Sequence, residues 1–261
     1  MSLNSLILGL IVTFGAPWLF LIARPYGHLA NLAPVAYDAE AGDEMTGFFP
    51  PSRAAHQARG QQVFFNQGCA QCHTQVIRAQ YVGGDGDEFK RNWGEAQNAL
   101  APKRTRQTSP YDYLGESFAA IGERRIGPDL ANASYRFQSR LQVLEHLYSP
   151  QARYDWTSCP PQRHLFDTRP ILGQRSKWAV FTEGKLAPAE GFEIVPSTEA
   201  VDLADYLLAL RRNSPLPVSL GGTKPPPAAP APAAAAPAPA PAAGAAAPAP
   251  APAPAPASTA K

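Results

Sequence analysis

The stretch Gly68-Cys69-Ala70-Gln71-Cys72-His73 constrains this chain more than any other. Two thiols separated by two residues and followed at once by an imidazole have the spacing for covalent haem attachment. Both thiols add to the haem vinyl groups, and the histidine reaches the iron from one side. A haem held that way dictates an interior, because the porphyrin is a large apolar body around which short helices can collapse. The same Cys-x-x-Cys could serve as a redox dithiol or as half of a zinc site. A dithiol expects a strand-then-helix setting, and a structural zinc site expects a second cysteine or histidine pair at short spacing; the sequence offers neither. Cys69 and Cys72 are therefore read as the attachment points and His73 as the proximal ligand. Cys159, the third cysteine, then has no partner for an internal disulfide and is buried, reactive or a ligand.

The first 23 residues carry no charged side chain and are rich in Leu, Ile, Val and Phe. Some twenty such residues in a helix cover the hydrocarbon thickness of a bilayer. A cleaved signal peptide expects a basic start and a short apolar core, so residues 1–23 read as an uncleaved anchor, bent at Pro17, with Trp18 near an interface. Arg24, the nearest basic residue, weakly favours a cytoplasmic body by the positive-inside rule, whereas the haem motif points to the opposite side. The formal net charge is +2, which leaves no basic footprint for nucleic acid.

Residues 24–51 read as a linker with no sustained period. A helix is expected from about Arg53 to Asn66, capped by Ser52, with Ala54, Ala58 and Val63-Phe64-Phe65 facing a core. The region Val82 to Arg125 is polar and irregular, and its basic run Lys103-Arg104-Thr105-Arg106 reads as a solvated face, with a docking surface as the alternative. In Arg125-Ile126-Gly127-Pro128-Asp129-Leu130, the Gly-Pro segment is placed to pack on the proximal histidine and to accept its ring proton through a backbone carbonyl. Ser139 to Tyr148 reads as a helix through Leu141, Leu144 and Leu147. His146 within it reads as a surface or core residue, or as a hydrogen-bond donor to a haem propionate. The loop Trp156 to His164 holds two candidates for the far side of the iron, Cys159 and His164. A last helix over Val201–Arg212 is capped by Ser197 or Thr198, with Glu199 at its positive end and Arg211-Arg212 at its negative end; Leu203, Tyr206, Leu207 and Leu210 face the first helix of the domain. Pro225 to Ala257 is almost wholly alanine and proline, an extended or disordered tail.

These residues resemble a known family, the mono-haem cytochrome c subunit (subunit II) of cbb-type cytochrome c oxidases in the C class of haem-copper oxidases. The likeness rests on Cys69 to Arg78, on Arg125 to Asn132, on the terminal helix with Pro215-Leu216-Pro217, and on Cys159 to Phe166, which resembles the family's distal-ligand loop. It implies a mostly α-helical protein: a single transmembrane anchor (1–23), a linker (24–51), a cytochrome c domain of short helices (52–217) in the periplasm, and an Ala/Pro tail (218–261) outside the resemblance. It implies one covalent haem c bound through Cys69, Cys72, His73 and Pro128. The function implied is electron relay, as an accessory subunit in the bacterial inner membrane, from a donor cytochrome towards the catalytic haem-copper subunit, alongside other cytochrome c subunits. The five histidines and single membrane segment supply no copper site, so oxygen reduction would belong to the complex. Relatives carry methionine where this chain has Cys159. That leaves Cys159 as candidate distal ligand, His164 as runner-up, and an open iron as the third outcome; the alternative function is a haem-based sensor or small-ligand binder.

Overall fold

A computed structural model describes residues 2–79, 85–90, 101, 104–182 and 184–222. The expectations for Gly83-Gly84, for Lys103 and for the tail beyond 222 lie outside the described residues. The chain is partly helical rather than mostly so, because two short antiparallel ribbons and long irregular segments share its body.

Helix α1 runs over Leu3–Ala30, is apolar enough to cross a membrane, and buries nothing within the protein. Ser2 caps it by accepting from the Ser5 amide. It does not stop at residue 23 but continues through Arg24 and Pro25. Its two prolines explain how. Each lacks an N–H and crowds the carbonyl four residues back, and each follows a π turn, Ile11–Gly15 before Pro17 and Leu19–Ala23 before Pro25. The wider turns absorb the misfit without ending the helix.

The expected linker is structured beyond this helix as well. Strand β1 (Val35–Ala36) pairs with β2 (Phe48–Phe49), and Phe49 is fully buried beneath the Arg106 guanidinium. Tyr37 donates to the Pro215 carbonyl at 2.8 Å, and Asp43 accepts from the Val218 amide at 2.9 Å. Arg106 is a strut rather than part of a solvated face: it forks onto Asp112 at 2.6 and 2.8 Å and reaches the Ser214 carbonyl.

Helix α2 (Ala55–Asn66) starts later than expected. Ser52 does not cap it; Ala54 stands at the cap position, and the Gln57 side chain returns to the Ala54 amide at 3.2 Å. Ala54 and Ala58 are exposed, and the buried face is Gly60, Gln61, Val63 and Phe64. Gly68, at φ +70°, ends the helix and turns the chain into the cysteine motif. Helix α3 (Arg140–Tyr148) is capped by Ser139 and buries Val143, Leu144 and Leu147; α4 (Pro150–Arg153) is a single turn after it. Strands β3 (Phe166–Pro170) and β4 (Phe192–Pro196) form a ribbon with Thr168 opposite Ile194. Helix α5 (Thr198–Ala209) is capped by Ser197, which accepts from the Ala200 amide.

The core lies where α2 and α3 meet α5, with Val63, Phe64, Val143, Leu144, Leu203, Tyr206 and Leu207 packed together. Leu203, Tyr206 and Leu207 of α5 do face α2, as their spacing indicates. Gly60 makes that approach possible: a Cβ there would overlap the Asp202 carbonyl oxygen and lie 2.7 Å from the Tyr206 Cβ. Arg212 departs from expectation. Instead of ending the helix at the surface it turns inward to Glu116 at 2.6 Å, the Asp112 carbonyl at 2.5 Å and the face of Tyr113.

Alanine in place of glycine inside a helix normally stabilises by ~1 kcal/mol. At position 60 the overlap is with backbone, so Gly60→Ala should instead give a net loss of about 2 kcal/mol or more, read as a lowered denaturant midpoint at unchanged m-value.

Candidate functional site

The cysteine motif forms one tight turn. Gly68 passes the chain into a 3-10 turn over Cys69–Gln71, the amides of Cys72 and His73 both bond to the Cys69 carbonyl, and the two thiols and the imidazole leave the same turn. That locality follows from the sequence: a cysteine pair separated by two residues spans about one turn of helix.

Residues 121–130 wrap this turn with backbone. The Ile121 carbonyl accepts from the Gln75 amide at 3.2 Å, Glu123 donates to the Ala70 carbonyl at 2.9 Å, Gly127 to the Cys72 carbonyl at 2.9 Å, and Leu130 to the Thr74 carbonyl at 2.7 Å. Gly122, at φ +82°, passes so close that a Cβ would come within 2.7 Å of the Thr74 Cα. In the middle of this wrap the His73 Nδ1 lies 2.8 Å from the Pro128 carbonyl oxygen. A carbonyl only accepts, so Nδ1 carries the proton and Nε2 presents its lone pair. The ring rests on Gly127, where a Cβ would be 2.8 Å from both ring nitrogens. Burial pushes the His73 pKa down, against the Pro128 bond, and Arg136 adds to the lowering; the neutral imidazole is the favoured form.

Side chains outside the expected set brace the wrap. Arg125 donates to Thr74 Oγ1 at 2.9 Å, to Asp85 at 2.9 Å and to the Val76 carbonyl at 2.6 Å. Asp129, fully buried, accepts from Thr74 Oγ1, the Val76 amide and the Ala131 amide at 2.5, 2.9 and 2.8 Å. Burial pushes its carboxyl pKa up, against those three bonds and the charge of Arg125. Asp85 is buried too, yet the bonds from Arg78 and then Arg125 hold its pKa below the usual carboxylate range. The sequence signal for Arg125 and Asp129 was their place on either side of Gly127-Pro128.

The expected distal residues fall in different places. Cys159 is half-buried, its thiol donates to the Pro160 carbonyl at 3.9 Å, and Gln151 donates to its carbonyl at 2.8 Å. Burial pushes its thiol pKa up, and Cys72 is close enough to add to that; Cys69 is raised to about 11 by burial and then by Cys159. His164 is exposed and engages the Gln67 side chain at 2.7 Å, at the end of α2. His146 sits in α3, half-buried, and burial pushes its pKa down to about 4.

Among the described residues no group of three or more His, Cys, Asp or Glu side chains converges as a metal-holding set. A covalently attached porphyrin needs none. Two thiols on one turn and an imidazole of fixed tautomer on a glycine cradle fit haem c: Cys69 and Cys72 would carry the thioethers, and His73 Nε2 would face the iron. No protein-family model matches this chain, and no curated protein matches it.

The cradle predicts that Gly127→Ala will displace the His73 ring. The expected signature is loss of the hydrogen-bonded Nδ1 proton signal in the NMR spectrum, while the Asp129-centred bonds that protect the Val76 and Ala131 amides persist.

Proposed function

We propose that this chain is a membrane-anchored c-type cytochrome of the kind found as subunit II of cbb-type oxidases, passing electrons to a catalytic haem-copper subunit. The observation that carries the reading is the 2.8 Å contact between His73 Nδ1 and the Pro128 carbonyl, on the same turn as Cys69 and Cys72. A second polar partner on the ring is how proteins orient a metal-bound histidine and raise its basicity. The bound group would supply a one-electron change at iron. The chain's part is to fix that group: Cys69 and Cys72 fasten it, His73 is aimed by Pro128, and Arg125 and Asp129 keep the aiming segment in register with Thr74–Val76.

Helix α1 supplies the anchor, and the haem domain would lie in the periplasm of a bacterial inner membrane, where a donor cytochrome and the other cytochrome c subunits can reach it. Ile121 and Ile126 expose apolar side chains along the wrapping segment, as does Phe118 just before it, and suit a transient redox partner. On the far side of the iron the family resemblance places Cys159, with His164 as runner-up. The absence of methionine there also favours a second reading, a small-ligand-binding haem protein.

The test is to produce the full chain in a host competent for cytochrome c maturation. Haem should stay with the polypeptide through a denaturing gel, and Cys69→Ala with Cys72→Ala should abolish that. The reduced protein should be reoxidised by membranes containing a cbb-type oxidase. A chain without covalent haem sinks the reading. A ferrous protein that binds carbon monoxide and is not reoxidised favours the ligand-binding alternative.

A further inference from the structure

Where Gln75 meets the start of α2 and the end of α5, three nitrogens are shut off from solvent and have no hydrogen-bond partner among the described residues: Gln75 Nε2, Arg212 Nε and Arg53 Nη1. All three are donors. A buried donor left unpaired is costly, so three in one network point to something that accepts from them.

Printed contacts tie the three groups together. Glu116 Oε1 takes both Arg53 Nη2 and Arg212 Nη2 at 2.6 Å, and the same Arg212 Nη2 lies 3.2 Å from Gln75 Oε1. Each unpaired nitrogen belongs to the same guanidinium or amide group as an atom in that series. An arginine only donates, so the Gln75 oxygen faces Arg212 and the NH2 is the open end of the amide. The oxygens of the set are already engaged. Gln75 Oε1 also accepts from Tyr206 at 2.9 Å, Glu116 Oε2 from Gln61 at 2.8 Å, and the Asp112 carbonyl from Arg212 Nη1 at 2.5 Å.

The charges do not balance. Two guanidinium groups face the one carboxylate of Glu116, and the side chains of Arg212 and Glu116 are each only 3% exposed. The Asp112 carboxylate is committed elsewhere, forked by Arg106 at 2.6 and 2.8 Å. A surplus positive charge in such a place is costly, and a water molecule would not relieve it. Water would also need acceptors for its own hydrogens, where every oxygen already accepts. A small anion meets both demands, since it takes several N–H groups at once and cancels the surplus. Enclosure of all three nitrogens suits a monatomic halide better than a solvated oxyanion.

We propose that Gln75 Nε2, Arg212 Nε and Arg53 Nη1 form a buried halide site that chloride fills. The Gln75 amide donates to the Ile121 carbonyl at 3.2 Å, which links occupancy of the site to the segment wrapped around His73. The site goes beyond the haem reading and does not depend on it.

The experiment uses the full chain in detergent, with chloride and bromide as the probes. The thermal unfolding midpoint should climb with the logarithm of chloride concentration and stay level in sodium gluconate at equal ionic strength. Arg53→Gln, at the least buried of the three residues, should flatten the chloride response, and Arg53→Lys should keep part of it. Crystals grown in bromide should show an anomalous peak among the three nitrogens; this peak and the wild-type response decide the matter if Arg53→Gln does not fold. A midpoint indifferent to the choice of anion overturns the proposal, as does a chloride response that Arg53→Gln leaves intact. An ordered water where the bromide should lie overturns it too. None of these readouts involves haem, so a chain without covalent haem overturns the proposed function alone.

Discussion

The hydrogen bond from His73 Nδ1 to the Pro128 carbonyl joins two segments some fifty residues apart in sequence, and the fold is arranged to keep them joined. A lone hydrogen bond contributes only about 1 kcal/mol net, too little to hold a flexible loop against a ring. Here it is one of a series along residues 121–130, with the bonds of Ile121, Glu123, Gly127 and Leu130 on either side. Because the wrap is made of backbone, its geometry is set by chain path rather than by side-chain rotamers, and the imidazole has little freedom to turn.

The wrap is coupled in turn to the helical core through Gln75, which is fully buried. Its amide meets Ile121, its carbonyl accepts from Tyr113, and its side-chain oxygen accepts from Tyr206 at 2.9 Å and Arg212 at 3.2 Å. Tyr206 is packed on Phe64 of α2 and lies beneath Arg53, and Arg53 and Arg212 both pair with Glu116. Burying these charges carries a desolvation cost that Coulomb attraction only partly offsets. What the network adds is connection: the α2–α5 crossing, the cysteine turn and the wrapping loop share one set of polar partners.

Much of the site was legible because it is local. The cysteine spacing and the Gly127-Pro128 segment each depend on neighbours in sequence, and the cap at Ser197 follows from the hydroxyl-before-helix pattern. What stayed hidden is long-range. Nothing local shows that Tyr37 and Asp43 dock on residues 215–218, or that Arg106 and Arg212 turn inward to carboxylates and rings. Ala54 and Ala58 have the right type for a core but the wrong side of α2, since the close approach at Gly60 decides which face is buried. Helix α1 outran its expected end because π turns defuse Pro17 and Pro25, an adjustment that composition does not reveal.

The Gly127-Pro128 wrap and the loop carrying Cys159 are built differently, and this bears on how such a chain can diverge. On the Pro128 side, side-chain identity is pinned at Gly122, Gly127, Thr74, Arg125 and Asp129, because each is either too close for a larger group or bonded at several points. The loop from Tyr154 to Gln162 is instead held through its backbone, by Pro150 to Tyr154, by Gln151 to the Cys159 carbonyl and by Leu147 to Gln162. None of these bonds uses the Cys159 side chain. A substitution at that position therefore leaves these loop bonds in place, so residue 159 can change while the Gly127-Pro128 wrap and the fold that supports it are preserved.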